Sequence, residues 1–424
     1  MLAFAERDRP YRGLFAILGY SEKDERFMAG LYSGAEWVPY GLFGKGMKQE
    51  ERQSLVQTIM TNRDAGHAPL KGSAAGSLIG IKPAICVELT FDAISGNDQL
   101  VNPVFRAFRL REKAPECTRN RLIVDNADVP PEAGITHPDK PLWPSAGIDK
   151  EAYAAYLIQI APRLLPFLRD RMLTSIRFPD GVEGERFYQK NCPKYAPDFI
   201  RTAESEGIDY ILCNDLSTLV WLGNQAAIEL HVPFQTFGAT DPLEIVLDLD
   251  PPGREAFPLA IKAAVEIRAI LESFFIVGYP KVSGGKGLQI HIPLGSAEPP
   301  LTYDDTRIFT SFVADYLVQK FPALFTTERL KKNRGNRLYV DYIQHAYGKT
   351  IISPYSARGI TEATVAAPLY WEEVDERLTP EQHTIRTVLK RLEERPCPMS
   401  GYFAQANPNL RAVIEQLKSQ VGRS

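Results

Sequence analysis

Leu243-Glu244-Ile245-Val246-Leu247-Asp248-Leu249-Asp250-Pro251 is the stretch on which the reading of this chain turns. Its composition is that of a strand, and the two-residue period of a strand sends Asp248 and Asp250 to one face and Leu247 and Leu249 to the other. Two carboxylates so placed on an apolar strand repel each other, and drawing them out of water is costly. A hard divalent cation with oxygen ligands relieves both problems. The alternative is a pair of solvated carboxylates at a strand end before a Pro-Pro turn, and this segment by itself leaves both open.

A second strand offers a third ligand. In Arg337-Leu338-Tyr339-Val340-Asp341-Tyr342 the residues Leu338, Val340 and Tyr342 share one face and Asp341 takes the other. Aspartate is disfavoured inside strands, so it needs either solvent or a task. A third segment, Val282-Ser283-Gly284-Gly285-Lys286-Gly287-Leu288-Gln289-Ile290-His291-Ile292, carries glycines and a lysine into a strand. Glycines let backbone N–H groups approach a phosphate, and Lys286 adds a point charge. Gln289 and His291 share a strand face, so either could meet a phosphate; a histidine packed on the sheet is an equally good reading of His291. Tyr347-Gly348-Lys349-Thr350 is no P-loop, because Ile343 stands where that motif needs its first glycine.

Charge points the same way. The 424-residue chain has 49 Lys and Arg against 52 Asp and Glu, a net of −3, so nucleic acid would have to bind through local patches. One such patch runs from Thr326 to Arg358, with Arg329, Lys331, Lys332, Arg334, Arg337, Lys349 and Arg358 against Glu328 and Asp341. A second stretch interleaves aromatics with bases: Arg177, Phe178, Arg186, Phe187, Tyr188, Lys190 and Lys194. The composition, 44% hydrophobic and 24% charged, excludes a disordered chain. No run is long enough for a membrane helix, and the charged start speaks against secretion. Five cysteines without a C-x-x-C pair argue against a zinc site or a disulfide framework and for a reducing cytoplasm.

Residues 11–117 read as β-rich, with LFAILGY, RFMAGLY and AICVELTF as strands and one helix over KQEERQSLVQTIM, a pattern that suits a small OB-type barrel. The Pro-, Gly- and Asp-rich stretch 118–147 reads as a linker that cannot propagate a helix. Beyond it helices and strands alternate. Asp149 caps a helix through KEAYAAYLIQIAPRLLPFL, another covers 256–277, and Thr379 caps one ending near Glu394.

In order, these segments resemble the polymerase domain of bacterial ligase D, a branch of the archaeo-eukaryotic primase superfamily. The matching pieces are His137–Lys140, Arg177–Gly181, Phe187–Lys190, Glu229–Pro233, Asp248–Pro251, Ser283–Leu288, Val340–Tyr342, Lys349-Thr350 and Pro354–Arg358, spread over roughly residues 130–400. The resemblance implies an α+β fold, with a primase-type, RRM-like core. Asp248, Asp250 and Asp341 would be catalytic and bind two Mn²⁺ or Mg²⁺ ions. His231, Ser283, Lys286, Lys349 and Arg358 match positions that contact the incoming NTP or dNTP, with Gln289 or His291 beside them, since many relatives have histidine where this chain has Gln289. Lys140 and Lys150 match lysines that hold a DNA 5′-phosphate, and Phe187, Tyr188 and Lys190 a template contact. The implied activity is addition of nucleotides, ribonucleotides preferred, to a DNA 3′-hydroxyl during non-homologous end joining. Broken or gapped DNA is the implied partner, with Ku and a DNA ligase module, in a cytoplasmic, nucleoid-associated setting without a membrane.

The N-terminal part resembles, more loosely, the C-terminal OB domain of the same family's ligase module, through Phe15–Tyr20, Gly44-Lys45-Gly46 and Val104–Lys113. The expected layout is an OB domain over 1–118, a linker over 119–135 and a primase-polymerase domain over 136–424. No K-x-D-G occurs, so no ligase activity is expected of this chain. A catalytically idle DNA-end adaptor that tethers a ligase is the alternative. A metal-dependent nuclease would call for clustered histidines, and the six present are dispersed.

Overall fold

The structure, a computed structural model, describes residues 4, 8–62, 78–295 and 299–421. The chain divides into two compact units, residues 1–128 and 129–424.

In the first unit β1 (Tyr11–Ser21), β2 (Arg26–Tyr32), β3 (Trp37–Phe43), β4 (Leu78–Gly80), β5 (Cys86–Phe91) and β6 (Val104–Phe108) form an antiparallel sheet in the order β3-β2-β1-β5-β6, with β4 beside β1. Helix α1 (Gln49–Asn62) buries Leu55 and Ile59. Among the described residues the strands make an open sheet, not a closed barrel. Its outer strands are linked by a parallel bridge from Lys45 to Val104, with the Phe105 N–H donating to the Lys45 carbonyl at 2.8 Å. Gly46, at φ +89°, lies so close to this strand that a side chain there would begin 2.6 Å from the Phe105 carbonyl oxygen.

The stretch expected to be a linker begins with a helix, α2 (Arg119–Asp125). Thr118 caps it by accepting the Arg121 N–H at 3.0 Å, and Leu122 and Ile123 are buried. The prolines that exclude a helix start only at Pro130, so a good cap and two apolar residues prevail upstream of them.

In the second unit, α3 (Lys150–Leu168) starts where Asp149 accepts the Ala152 N–H at 2.8 Å, and α4 (Leu216–Asn224) where Asp215 accepts the Thr218 N–H at 2.8 Å. Two sheets follow. One is antiparallel, in the order β8-β7-β9-β15, from β7 (Thr174–Arg177), β8 (Phe187–Gln189), β9 (Ala227–Pro233) and β15 (Thr350–Ile352). The other runs β11-β12-β10-β14-β13, from β10 (Glu244–Asp250), β11 (Tyr279–Val282), β12 (Leu288–Pro293), β13 (Phe325–Thr326) and β14 (Leu338–Asp341). Only its outermost pair, β13 with β14, is parallel.

The five-stranded sheet has two unlike faces. Leu247, Leu249, Leu288, Ile290, Ile292, Leu338 and Val340 are buried in the main core with α5 (Phe257–Ser273) and α6 (Tyr303–Lys320), which contribute Ala260, Ile267, Phe309 and Val313. The alternate residues of the same strands face the four-stranded sheet, where Val246 packs with Phe234 and Ile351. The helix expected from Thr379 begins later. Pro380–Gln382 is a single 3-10 turn, and α7 (Ile385–Glu394) starts at its own cap, Thr384.

One buried polar cluster ties these parts together. Arg171, just before β7, lies 2.7 Å from Glu244 of β10, whose other oxygen takes the Tyr402 hydroxyl at 2.7 Å and faces His291 Nδ1 at 3.0 Å. Burial pushes the Glu244 carboxyl up, but Arg171 and His291 outweigh it and hold it well below the usual range. Removing one partner of such a pair strands the other charge in the interior. Arg171→Met should therefore cost about 3–5 kcal/mol in urea unfolding, and adding Glu244→Gln should recover part of that loss.

Candidate active site

The carboxylates are set by register. β10 is flanked by β12 and β14, and its Asp248 stands opposite Gln289 on one side and Asp341 on the other. Asp250 stands opposite Tyr339. Asp248, Asp250 and Asp341 thus share the polar face of the sheet.

Each carboxylate has its own set of partners. Gln289 Nε2 donates to Asp248 Oδ1 at 3.0 Å. The Tyr339 hydroxyl and the Gln344 N–H both donate to Asp341 Oδ1 at 3.0 Å. Asp250 is held by two cations, Lys286 Nζ at 2.9 Å and Arg334 Nη1 at 3.3 Å. Burial, then the charges of Asp341 and Asp250, raise the Asp248 carboxyl to about 6 against the pull of the Gln289 bond. Asp341 is also raised, mainly by burial. This is the electrostatic signature of a site short of positive charge, and three carboxylate oxygen donors suit a hard divalent ion. As they stand, no three His, Cys, Asp or Glu side chains among the described residues converge on one point, since Asp250 is turned to its two cations.

The glycine segment forms a tight loop between β11 and β12. Ser283 Oγ accepts the N–H groups of Gly285 at 3.2 Å and Gly287 at 3.1 Å, and Lys286 Nζ also donates to the Pro251 carbonyl at 2.6 Å. Arg358 packs on this loop: a side chain on Gly284, which sits at φ +72°, would begin 2.7 Å from Arg358 Cγ. Across from it, His231 Nε2 lies 3.0 Å from Glu229 Oε2, while Glu229 Oε1 takes the Gly359 N–H at 3.0 Å and lies 3.4 Å from Arg358 Nε. Glu229 therefore joins His231 to Arg358. Lys349 is exposed just before β15, whose Thr350 carbonyl accepts Gln344 Nε2 at 2.8 Å.

Other expected residues stand apart. His291 is fully buried with Glu244, two positions along β12 from Gln289, so it is Gln289 that meets Asp248. The Lys150 N–H donates to the Lys140 carbonyl at 2.9 Å, making the two lysines neighbours. Lys140 Nζ reaches Asp180 at 3.1 Å, whereas Lys150 is only 6% exposed and donates to the Thr136 carbonyl at 2.8 Å. Phe187 and Tyr188, 43% and 68% exposed, lie with exposed Lys190 at the edge strand β8, and the Arg177 guanidinium covers the Phe187 ring at 5.2 Å.

The sequence reading passed over Glu229, Gln344 and Tyr339, and it counted Arg334 only as one base in a patch. Glu229 was accessible to it, because position 229 shares a strand face with His231. Gln344 acts through its backbone, which no side-chain pattern reveals.

Comparison with known proteins now gives the class. The primase-polymerase domain family of LigD proteins matches residues 149–399, more than half of the chain. The chain belongs to that family. It is 41% identical over 405 residues to the bifunctional non-homologous end joining protein LigD of Bacillus subtilis, covering 95% of this chain and 64% of that one. With the multifunctional LigD of Mycolicibacterium smegmatis it shares 34% over 269 residues, 61% of this chain and 34% of that protein. The chain thus spans between about a third and two thirds of these relatives. Among solved structures, the polymerase domain of Mycobacterium tuberculosis ligase D in complex with DNA superposes with a TM-score of 0.59 at 31% identity, covering 64% of this chain and 98% of that one.

The raised Asp248 carboxyl has a measurable consequence. A carboxyl raised in the fold contributes stability below its unfolded value near 4, and loses it as pH rises through about 6. In EDTA at pH 8, Asp248→Asn should therefore unfold at least as high as the wild type, with a gain of order 1 kcal/mol. A clear drop in melting temperature would show that the charge is not strained.

Proposed function

We propose that the chain is a DNA-end-directed nucleotidyltransferase of bacterial non-homologous end joining, which adds nucleotides, ribonucleotides preferred, to a DNA 3′-hydroxyl to fill gaps or tail ends. The observation that carries this reading is the row in which Asp248 and Asp341 stand opposite each other, beside a glycine loop with Lys286 and Arg358. Anionic ligands for cations thus adjoin cationic ligands for phosphates. Family membership and the likeness to a DNA-bound polymerase domain support it.

In this reading Asp248, Asp250 and Asp341 hold two Mg²⁺ or Mn²⁺ ions. Such ions, when bound, acidify the attacking hydroxyl and neutralise charge building on the transferred phosphoryl group. The chain's own groups do the rest. Ser283, Lys286, Arg358 and His231 receive the triphosphate, with Glu229 fixing the last two. Lys349 adds charge at the rim. Gln289 fixes the Asp248 carboxylate, and Lys286, freed from Asp250, becomes available to phosphate. Lys140 and Lys150 hold the downstream 5′-phosphate once Lys150 turns from Thr136, and Phe187, Tyr188 and Lys190 stack and pair against the template strand. Unit 1 is an OB-type domain like that of a ligase module, Ku and a ligase are partners, and no ligase activity resides in this chain. The setting is the cytoplasm, at the nucleoid.

One observation favours a second reading. Asp250 is neutralised by Lys286 and Arg334 as it stands, which suits an idle end-binding adaptor. Primer extension decides between them. On a gapped duplex with a 5′-phosphate and Mn²⁺, the purified chain should extend the primer faster with ATP than with dATP. Asp248→Ala should lower the rate by at least about 10³-fold and keep DNA binding. Binding without extension would establish the adaptor.

The phosphate site has its own test. Replacing Lys140 and Lys150 with Ala should lower the slope of log affinity against log salt by about 0.9 for each DNA phosphate they neutralise, and remove the preference for a 5′-phosphate. Unchanged slope and preference would take both lysines out of the DNA site.

A further inference from the structure

Lys281 has no part in the site as set out so far, yet it stands in line with it. Cross-strand pairing places Lys281 opposite Gln289, Gln289 opposite Asp248, and Asp248 opposite Asp341, so four strands contribute one row on one face. Lys281 is 0% exposed, and its Nζ donates to the Ile352 carbonyl at 3.1 Å. β11 is an edge strand of the five-stranded sheet and β15 of the four-stranded one, so this bond joins two sheet edges. Ile352 in turn stands opposite His231. Two residues beyond Lys281 the glycine loop begins, packed on Arg358.

The lysine is costly where it is. Burial draws its ammonium down to about 7; Asp248 and Glu244 oppose that shift, and Arg358 reinforces it. His231 feels the same charge from the other sheet. An apolar side chain of similar length would fill the space without the cost of a buried charge. Stability therefore does not account for a lysine at this position.

We propose that Lys281 is a positioning residue for the nucleotide, holding the His231 edge against the carboxylate row and lending the pocket a buried ammonium that favours a triphosphate. The inference rests on the nucleotidyltransferase reading above. A single charge near a polyanion at the effective dielectric of a protein site is worth about tenfold in binding.

The test uses the full chain, as wild type, Lys281→Met and Lys281→Arg. ATP binding is measured calorimetrically in EDTA, together with melting temperature and the KM and kcat of primer extension. Lys281→Met should weaken ATP binding and raise KM by about tenfold, leave kcat within about threefold, and melt no lower than wild type. Lys281→Arg should keep most of the affinity. A lower melting temperature with unchanged ATP affinity would reduce Lys281 to a structural tie and overturn the proposal. So would an Arg variant as weak as the Met variant. If wild type binds ATP but extends nothing, the polymerase reading fails while the ATP comparison still decides the role of Lys281. Wild type that binds no ATP overturns both.

Discussion

Asp248 and Asp341 face each other across adjacent antiparallel strands, and everything around them answers to that repulsion. Like charges directly opposite on a sheet are unfavourable, so the pairing persists only because something stronger fixes the register. That something is the reverse face of the same strands, where Leu247, Leu249, Leu338 and Val340 are buried with α5 and α6. A slip of one residue would turn every leucine outward and every carboxylate inward, so the apolar face dictates where the acids stand. The remaining strain is spread over Gln289, Tyr339, the Gln344 backbone, Lys286 and Arg334.

The two sheets of the second unit divide the chemistry between them. The five-stranded sheet supplies the carboxylates and, through the turn after β11, the glycine loop. The four-stranded sheet supplies His231 and, beyond β15, Arg358. Glu229 links that histidine to that arginine. The Glu244 cluster reaches from β10 to Arg171 ahead of β7, so the polar side of the acid-bearing strand is pinned at one end and free for chemistry at the other.

Much of this was legible because strand periodicity is strict. Once residues 243–251 were read as a strand, the common face of Asp248 and Asp250 followed, and so did the common face of Gln289 and His291. What periodicity could not supply was which strands lie side by side. The partnership of Asp248 with Asp341 across 93 positions is a matter of register, which strand periodicity leaves open even where it marks Asp341 as a candidate third ligand. The same gap explains His291. Its face was read correctly, but its Glu244 partner lies on another strand. Local chemistry misled in two places. A Thr cap and two apolar residues made α2 inside a supposed linker, and Thr384 took over from Thr379 as the start of α7. In both, the competing signals lay within a few residues of each other, a distance at which element boundaries are least determined.

The strand order of the five-stranded sheet carries a consequence for how the site comes into being. Its central strand β10 is synthesised first, then β11 and β12 to one side, and only after α6 do β13 and β14 arrive on the other. Asp248 can therefore pair with Gln289 before Asp341 has been synthesised, and until then one edge of β10 has no strand of this sheet beside it. The last contributor, Arg358, follows later still. Assembly of the centre is thus a late event built on long-range contacts, which are slow to form. Until then the nascent protein carries an open sheet edge that its own downstream sequence must cover.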